Sequence, residues 1–315
     1  HVLRAQVQQA RSVGIDGFIT SWKDTPVLDR RLQLLLSIAA SEQFHVGVVY
    51  QSLDFARHPL PIATVRAGMT YLVQRWGSSL RLPPFQRPVI IWTGTDEYSV
   101  ADVRSVRAAL GDRAYLLAAS KSVSGYQRVA GIVDGEAYYW SSADPRSRAT
   151  PAKLDQLSRE VHKDGGIWFA PAAPGFDGRT LAHTRVIPRD GGSTFRLSLE
   201  DAYASRPDAV GVISWNEWSE NTYIEPGRRY GTQELTVLRD YLRTAAAGGR
   251  GAAPPGGTQA HGPSGFWSGF RAAVVLLVVC VVGLVLLLVL PYRGGRRASR
   301  SSRSEQDREL SNTRD

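Results

Sequence analysis

The stretch Thr194–Trp215, TFRLSLEDAYASRPDAVGVISW, reads as a helix over 194–205 followed by a strand over Ala209–Trp215. Apolar residues at helical spacing give way, across a Pro-Asp turn, to a short continuous apolar run. Working outward, the same unit recurs. Leu3, Val7 and Ala10 share one helical face, and Gly17–Trp22 (GFITSW) is a strand. Leu32, Leu35, Leu36 and Ala39 form the next helical stripe, before Phe44–Tyr50 (FHVGVVY). A helix over roughly 61–77 precedes Pro88–Trp92 (PVIIW). Ser99 and Asp102 read as a capping box ahead of Val103, Val106 and Leu110, with Gly111 as the stop. Strands follow at Ala114–Ala118 and Gly135–Trp140. Thr150-Pro151 reads as N-cap and first helical residue before Leu154, Leu157 and Val161, and Ile167–Pro171 is the next strand. A last helix covers 232–246.

Seven strands alternating with helices imply a parallel sheet covered by helices. The length of the region suits a (β/α)8 barrel. It opens and closes with a helix, so the first of eight strands is expected to be missing from this chain. A doubly wound open sheet is the alternative. It would carry a Gly-rich phosphate loop after its first strand, and neither G-x-G-x-x-G nor a P-loop occurs.

Residues 1–247 form this barrel by composition, and 248–265 (GGRGAAPPGGTQAHGPSG) read as a flexible linker. Within 266–292, the uncharged run Ala272–Leu290 would span about 28 Å as a helix, close to the thickness of a bilayer core. Phe266 and Trp267 precede it, and Arg293, Arg296, Arg297, Arg300 and Arg303 follow it. The charge bias predicts a single-pass membrane helix with residues 1–265 outside and a basic cytoplasmic tail over 293–315. An outside domain needs an export signal, and none begins at His1, so a longer precursor is expected.

With 43% hydrophobic and 21% charged residues, the 315-residue chain is neither largely disordered nor a multi-span membrane protein. The single cysteine, Cys280, excludes an internal disulfide and cysteine-based metal sites. The net charge of +9 concentrates toward the C-terminus, which argues against a nucleic-acid-binding domain. The six histidines show no metal-ligand spacing, and no cofactor is expected. No G-x-S-x-G elbow marks a serine esterase. Four lysines against 34 arginines suggest a GC-rich, bacterial genome.

Trp22, Trp92, Trp140 and Trp215 each end an expected strand, with Trp168 inside one and Trp218 just beyond another. In a barrel the C-terminal strand ends form the active face, where indole rings suit the C–H faces of sugars. The alternative is that these rings fill the core or seal its rim. After the last strand, Trp215-Asn216-Glu217-Trp218-Ser219-Glu220-Asn221 places Glu217 and Glu220 three residues apart, about 5–6 Å between Cβ atoms if the turn is helical. Carboxyl groups in unlike surroundings acquire unlike pKa values, which is what glycosidic cleavage uses. An exposed E-x-x-E turn is the alternative.

The stretch SWNEWSENTYIEPG resembles the W-N-E-W-x-E-x-T-x-I-E-P signature of glycoside hydrolase family 99, the endo-α-mannosidase type. Gly14–Trp22, the loop Pro174-Gly175-Phe176-Asp177, and Thr194–Ala204 with Pro207-Asp208 resemble other segments of that family in the same order. Ser219 and Asn221 stand where the family usually has His and Gly, and Gln51 where an acid is expected. The resemblance implies a (β/α)8 barrel and retaining, metal-free cleavage of α-mannosidic bonds; joined to the expected membrane helix, this gives a cell-surface hydrolase of α-mannosidic or similar glycans. It implies Glu217 as the base acting on the sugar's 2-hydroxyl and Glu220 as the acid/base. It further implies Trp22, Tyr139, Trp140, Asp177, Asn216 and Trp218 as candidates for the substrate cleft. The other functions considered are a barrel in surface polysaccharide biosynthesis and a non-catalytic carbohydrate-binding module.

Overall fold

A computed structural model describes residues 1–54, 56–181, 184–248 and 275–279. In chain order the elements are α1 (Val2–Ser12), β1 (Gly17–Trp22), α2 (Pro26–Ser41), β2 (His45–Gln51), α3 (Ile62–Trp76), β3 (Val89–Thr93), α4 (Val100–Leu110), β4 (Tyr115–Ala119) and α5 (Val123–Val129). Then come β5 (Gly135–Ala137), α6 (Ala149–Lys163), β6 (Ile167–Ala172), the short hairpin of β7 (Phe176–Asp177) and β8 (Val186–Ile187), α7 (Ser193–Ala204), β9 (Ala209–Ile213), α8 (Gln233–Gly248) and β10 (Val275–Val279). Eight strands close into a parallel barrel in the order β1-β10-β9-β6-β5-β4-β3-β2, and β7 and β8 pair antiparallel outside it.

Local chemistry sets the helix starts. Thr25 accepts the Leu28 N–H with Pro26 at the first helical position, and Ser99 with Asp102 completes the expected capping box of α4. Thr150 differs from expectation. α6 begins at Ala149, and the Thr150 hydroxyl donates to the Asp144 carbonyl at 2.6 Å instead of capping. The strand after Gly135 ends at Ala137, short of the expected Trp140. The seven-residue helix α5 falls in a stretch too short to show a helical stripe.

Strand parity divides the core. Ile19, Val49, Ile91, Leu117, Ala137, Phe169 and Ile213 point into the barrel and pack together. Their alternates, among them Phe18, Trp22, Val48, Tyr50, Trp92 and Trp168, face the helices and pack with residues such as Leu32, Met69, Val103 and Leu157.

The place expected to be empty is filled. β10 pairs with β1 over Gly17–Thr20 and with β9 over Val210–Ile213. The expected membrane helix over 272–290 is therefore not what the described part of that run forms, because Val275–Val279 is a strand. A wholly apolar run suits a parallel strand buried on both faces as well as it suits a bilayer. The rest of that run, the linker and the basic tail lie outside the described residues. Among the described residues, no helix is long and apolar enough to cross a membrane.

Candidate active site at the mouth of the barrel

The segment after β9 folds back on itself. The Ser214 N–H donates to the Thr222 carbonyl at 3.0 Å, and the Ile224 N–H donates to the Ser214 carbonyl at 3.0 Å. Between these anchors, Glu217 to Asn221 form one helical turn. The Thr222 N–H reaches the Glu217 carbonyl at 3.3 Å, and the Asn221 N–H reaches the Trp218 carbonyl at 3.2 Å. Asn221 takes a left-handed conformation (φ 54). This is a Schellman cap, in which Asn is the tolerated substitute for Gly. It stops the turn immediately after Glu220.

Glu217 is buried at 5% exposure, and its N–H donates to Ser214 Oγ at 2.8 Å. Its carboxylate accepts a hydrogen bond from Ser219 Oγ. Burial holds the Glu217 carboxyl above the ordinary glutamate range; the Ser219 hydrogen bond opposes this rise and the nearby Glu220 charge adds to it. Glu220 Oε2 accepts from Ser141 Oγ at 2.9 Å, and its carbonyl accepts the Asp177 N–H at 2.8 Å.

Trp218 is 49% exposed. One face lies on Tyr223, with ring centroids 3.8 Å apart, which leaves the other face open. Tyr139 and Trp140 are half-buried just beyond β5, and Ser141 follows them to reach Glu220. Asp177 contributes its backbone to the site. Its carboxylate turns away to Arg179 (2.9 and 2.7 Å), which holds it at about 2. Asn216 precedes Glu217 and is half-buried.

Trp22 does not join this group. It is buried at 1% exposure and packs on Tyr50 and Tyr71, with centroids 5.9 and 6.3 Å away. Trp92, Trp168 and Trp215 are buried as well. The expectation that strand-ending tryptophans line the cleft fails for Trp22, Trp92 and Trp215, and Trp168, expected inside a strand, is in the core too; for those on strands the reason is parity. Trp22, Tyr50 and Trp92 are register partners on the helix-facing side. The positions that face inward at that height are Ser21, Gln51 and Thr93. Gln51 Nε2 donates to Ser21 Oγ at 3.1 Å, and Thr93 Oγ1 donates to Gln51 Oε1 at 3.3 Å.

What holds the carboxylate turn carries no local sequence mark. Arg189 is buried at 5% exposure and donates through Nη2 to the Asn221 and Tyr223 carbonyls at 2.9 and 2.6 Å. It pairs with buried Glu234 at 3.0 Å and lies over the Tyr230 ring at 4.0 Å. Such a buried, charge-assisted clamp fixes backbone geometry more than it adds stability. A cavity of about 690 Å³ opens elsewhere, between α2 and α3 at the start of β2, and no carboxylate lines it. Among the described residues no group of three potential ligands is placed to hold a metal.

The family model described as Glycosyl hydrolase family 71 matches residues 2–240. Among solved structures, the chain is similar to the GH99 endo-α-mannosidase from Bacteroides thetaiotaomicron, with TM-score 0.67 and 15% identity over 77% of this chain and 78% of that one. A structure of the same mannosidase in complex with bis-tris-propane gives TM-score 0.67 and 16% identity, over 77% and 83%. A family 39 glycoside hydrolase from Bacteroides cellulosilyticus WH2 gives TM-score 0.55 and 7% identity, over 76% of this chain and 60% of that one. At these identities the likeness is one of fold. No curated protein matches the chain.

Proposed function

The chain belongs to glycosyl hydrolase family 71, and from that premise we propose that it cleaves α-mannosidic or similar glycans with retention, using Glu217 and Glu220. It is a glycoside hydrolase by family. The linkage, the pair and the stereochemistry are the proposal. The observation that carries it is the capped turn beyond β9, which holds two carboxyl groups beside an open indole face. This favours cleavage over the silent binding module and over a role in polysaccharide assembly.

In the proposed reaction Glu217 removes the proton from the sugar's 2-hydroxyl as O2 attacks C1. Glu220 gives a proton to the departing glycosidic oxygen, leaving a 1,2-anhydro sugar. Glu220 then takes a proton from water, which opens the ring at C1, and Glu217 returns its proton to O2. Burial makes Glu217 a stronger base once ionised, which suits the first step. The same burial supports a second reading, with the roles exchanged and Glu217 as the proton donor.

Glycosyl fluorides separate the two, because fluoride leaves without a proton. Glu220→Gln is expected to keep first-turnover release of fluoride from the α-mannosyl fluoride of a preferred oligosaccharide while losing roughly 10²–10⁴-fold on the glycan. Glu217→Gln is expected to lose both. The opposite pattern assigns the exchanged roles, and wild-type turnover by both variants refutes the pair. Sugars released from mannans and from α-glucans identify the linkage.

For the apolar run we propose single-pass attachment, with the barrel outside and the tail in the cytoplasm. Its support is the length of the uncharged stretch and the arginines that follow it. Inserting as a helix requires Val275–Val279 to leave β1 and β9, so the two placements exclude each other. Carbonate extraction of cells making the full chain is expected to leave it in the membrane pellet, and recovery in the extract refutes attachment.

A further inference from the structure

A second turn, packed against the indole, carries two adjacent arginines. Trp218 lies against Gly227 so closely that a Cβ at position 227 would stand 2.9 Å from its Cη2 and Cζ3. The next two residues are Arg228 and Arg229, both exposed. They occupy a turn closed by the Gly231 N–H donating to the Gly227 carbonyl at 2.8 Å and by the reverse bond at 3.3 Å. Their backbones are one and two residues from the atoms on which the indole rests. Their guanidinium groups therefore have reach to the edge of a sugar stacked on the open face of Trp218.

Of the acids nearby, Asp177 feels the charge of Arg229 but accepts its hydrogen bonds from Arg179, and the others have partners elsewhere. Asp177 is bound in two-pronged fashion by Arg179, and Asp144 and Asp190 are each 3.0 Å from Arg146. Glu225 accepts from Gln6 at 2.8 Å, and Glu234 is paired with Arg189. Among the described residues neither Arg228 nor Arg229 forms an ion pair. Arg229 lies 5.1 Å from the centre of the Tyr230 ring.

We propose that Trp218, Arg228 and Arg229 form an anion-recognising subsite, so that the glycan bound here carries acidic substituents on the sugar that stacks on Trp218. This rests on the mouth of the barrel being the glycan cleft, and it adds the chemical class of the substrate. A planar guanidinium matches carboxylate, sulfate ester and phosphate ester alike, while the ring face supplies the contact that a free anion lacks.

Affinity electrophoresis of the full chain tests this by binding alone. The probes are an α-mannan, the same mannan with its C6 hydroxyls partly oxidised to carboxylates, and the same mannan sulfated. The wild type is expected to bind an acidic form about tenfold more tightly than the neutral one. The preference should shrink at high salt. In Arg228→Gln/Arg229→Gln the ratio of acidic to neutral affinity should fall toward one, while Arg66→Gln, an exposed arginine on α3, should keep the ratio. The arm preferred, carboxylate or sulfate, identifies the anion. Circular dichroism melts establish that the double variant is folded. An equal affinity for neutral and acidic forms, or a preference that survives in the double variant, overturns the proposal. Turnover is assayed in parallel. Cleavage of mannan without acidic preference refutes the subsite alone, whereas acidic preference without cleavage refutes the hydrolytic reading and leaves the subsite standing.

Discussion

Along β1, β2 and β3 the large aromatic rings turn outward beneath the helices, whereas beyond β9 an indole and two carboxyl groups stand over the opening. On the first side the side chains belong to strands, and each is committed by parity to the core or to the interior. What reaches the mouth there is neutral and already hydrogen-bonded: Ser21, Gln51 and Thr93. On the second side the chain has left the sheet, and no alternation governs it. A capped turn and a buried arginine set the directions instead. In this barrel the strands provide the floor, and the paired carboxyl groups come from a loop that needs its own scaffolding.

The comparison can be broken most sharply at the carboxyl groups. Glu217→Gln should lower kcat on a cleaved glycan by roughly 10²–10⁴-fold without loss of folding cooperativity. A comparable loss from Gln51→Ala would show that the strand side reacts too.

A second test concerns the clamp. Arg189→Met leaves Glu234 buried without its partner and is expected to cost about 3–5 kcal/mol in denaturant unfolding. An unchanged midpoint would mean that the turn holds itself.

The two kinds of tryptophan should also separate. Trp92→Ala empties a core site and is expected to destabilise by about 3–5 kcal/mol. Trp218→Ala, at an exposed ring, should change stability by less than about 1 kcal/mol while raising KM. Equal destabilisation by both would erase the distinction between the two sides.

The smallest effect is a gain. Because burial raises the Glu217 carboxyl in the folded state, the fold binds that proton more tightly than the unfolded chain does. Its contribution to stability is therefore present at acid pH and is lost as pH rises through the ordinary glutamate value toward the raised one. Glu217→Gln should melt higher than the wild type at neutral pH. The gain should vanish as pH falls below about 4.3, the unperturbed value. A variant that melts lower throughout would show that the ionised carboxyl is held favourably.

Helical stripes such as Leu32-Leu35-Leu36-Ala39 and apolar runs such as Val46–Tyr50 made the alternating fold legible, since period and length alone mark them. The glycosidase class expected from the sequence agrees with the family matched over residues 2–240, although that family is 71 and the likeness to GH99 lies in the fold. The tryptophans were misread because their place at strand ends was noted and their parity was not. Phe18, Thr20 and Trp22 already alternate against Ile19 and Ser21. Arg189, Glu234 and Ser141 were invisible for a different reason. Their contacts, Arg189 and Ser141 to the turn and Glu234 to Arg189, join residues 32 to 79 apart in the chain, and only tertiary structure brings such partners together. The filling of the barrel by Val275–Val279 was hidden because an apolar run carries no mark of strand or helix.

Gly175 shows how far such dependence extends. It adopts φ 149, and a Cβ there would stand 2.8 Å from the Ile187 carbonyl oxygen and 2.9 Å from the Cγ of Arg189. A single methyl at this position would touch neither glutamate, yet it would press on the stem of the arginine that aims them. Selection on catalysis therefore reaches a residue with no functional group at all. Among descendants of this sequence, position 175 should therefore stay glycine, because the nearest obstacle is the backbone of residue 187, which no side-chain exchange there can move.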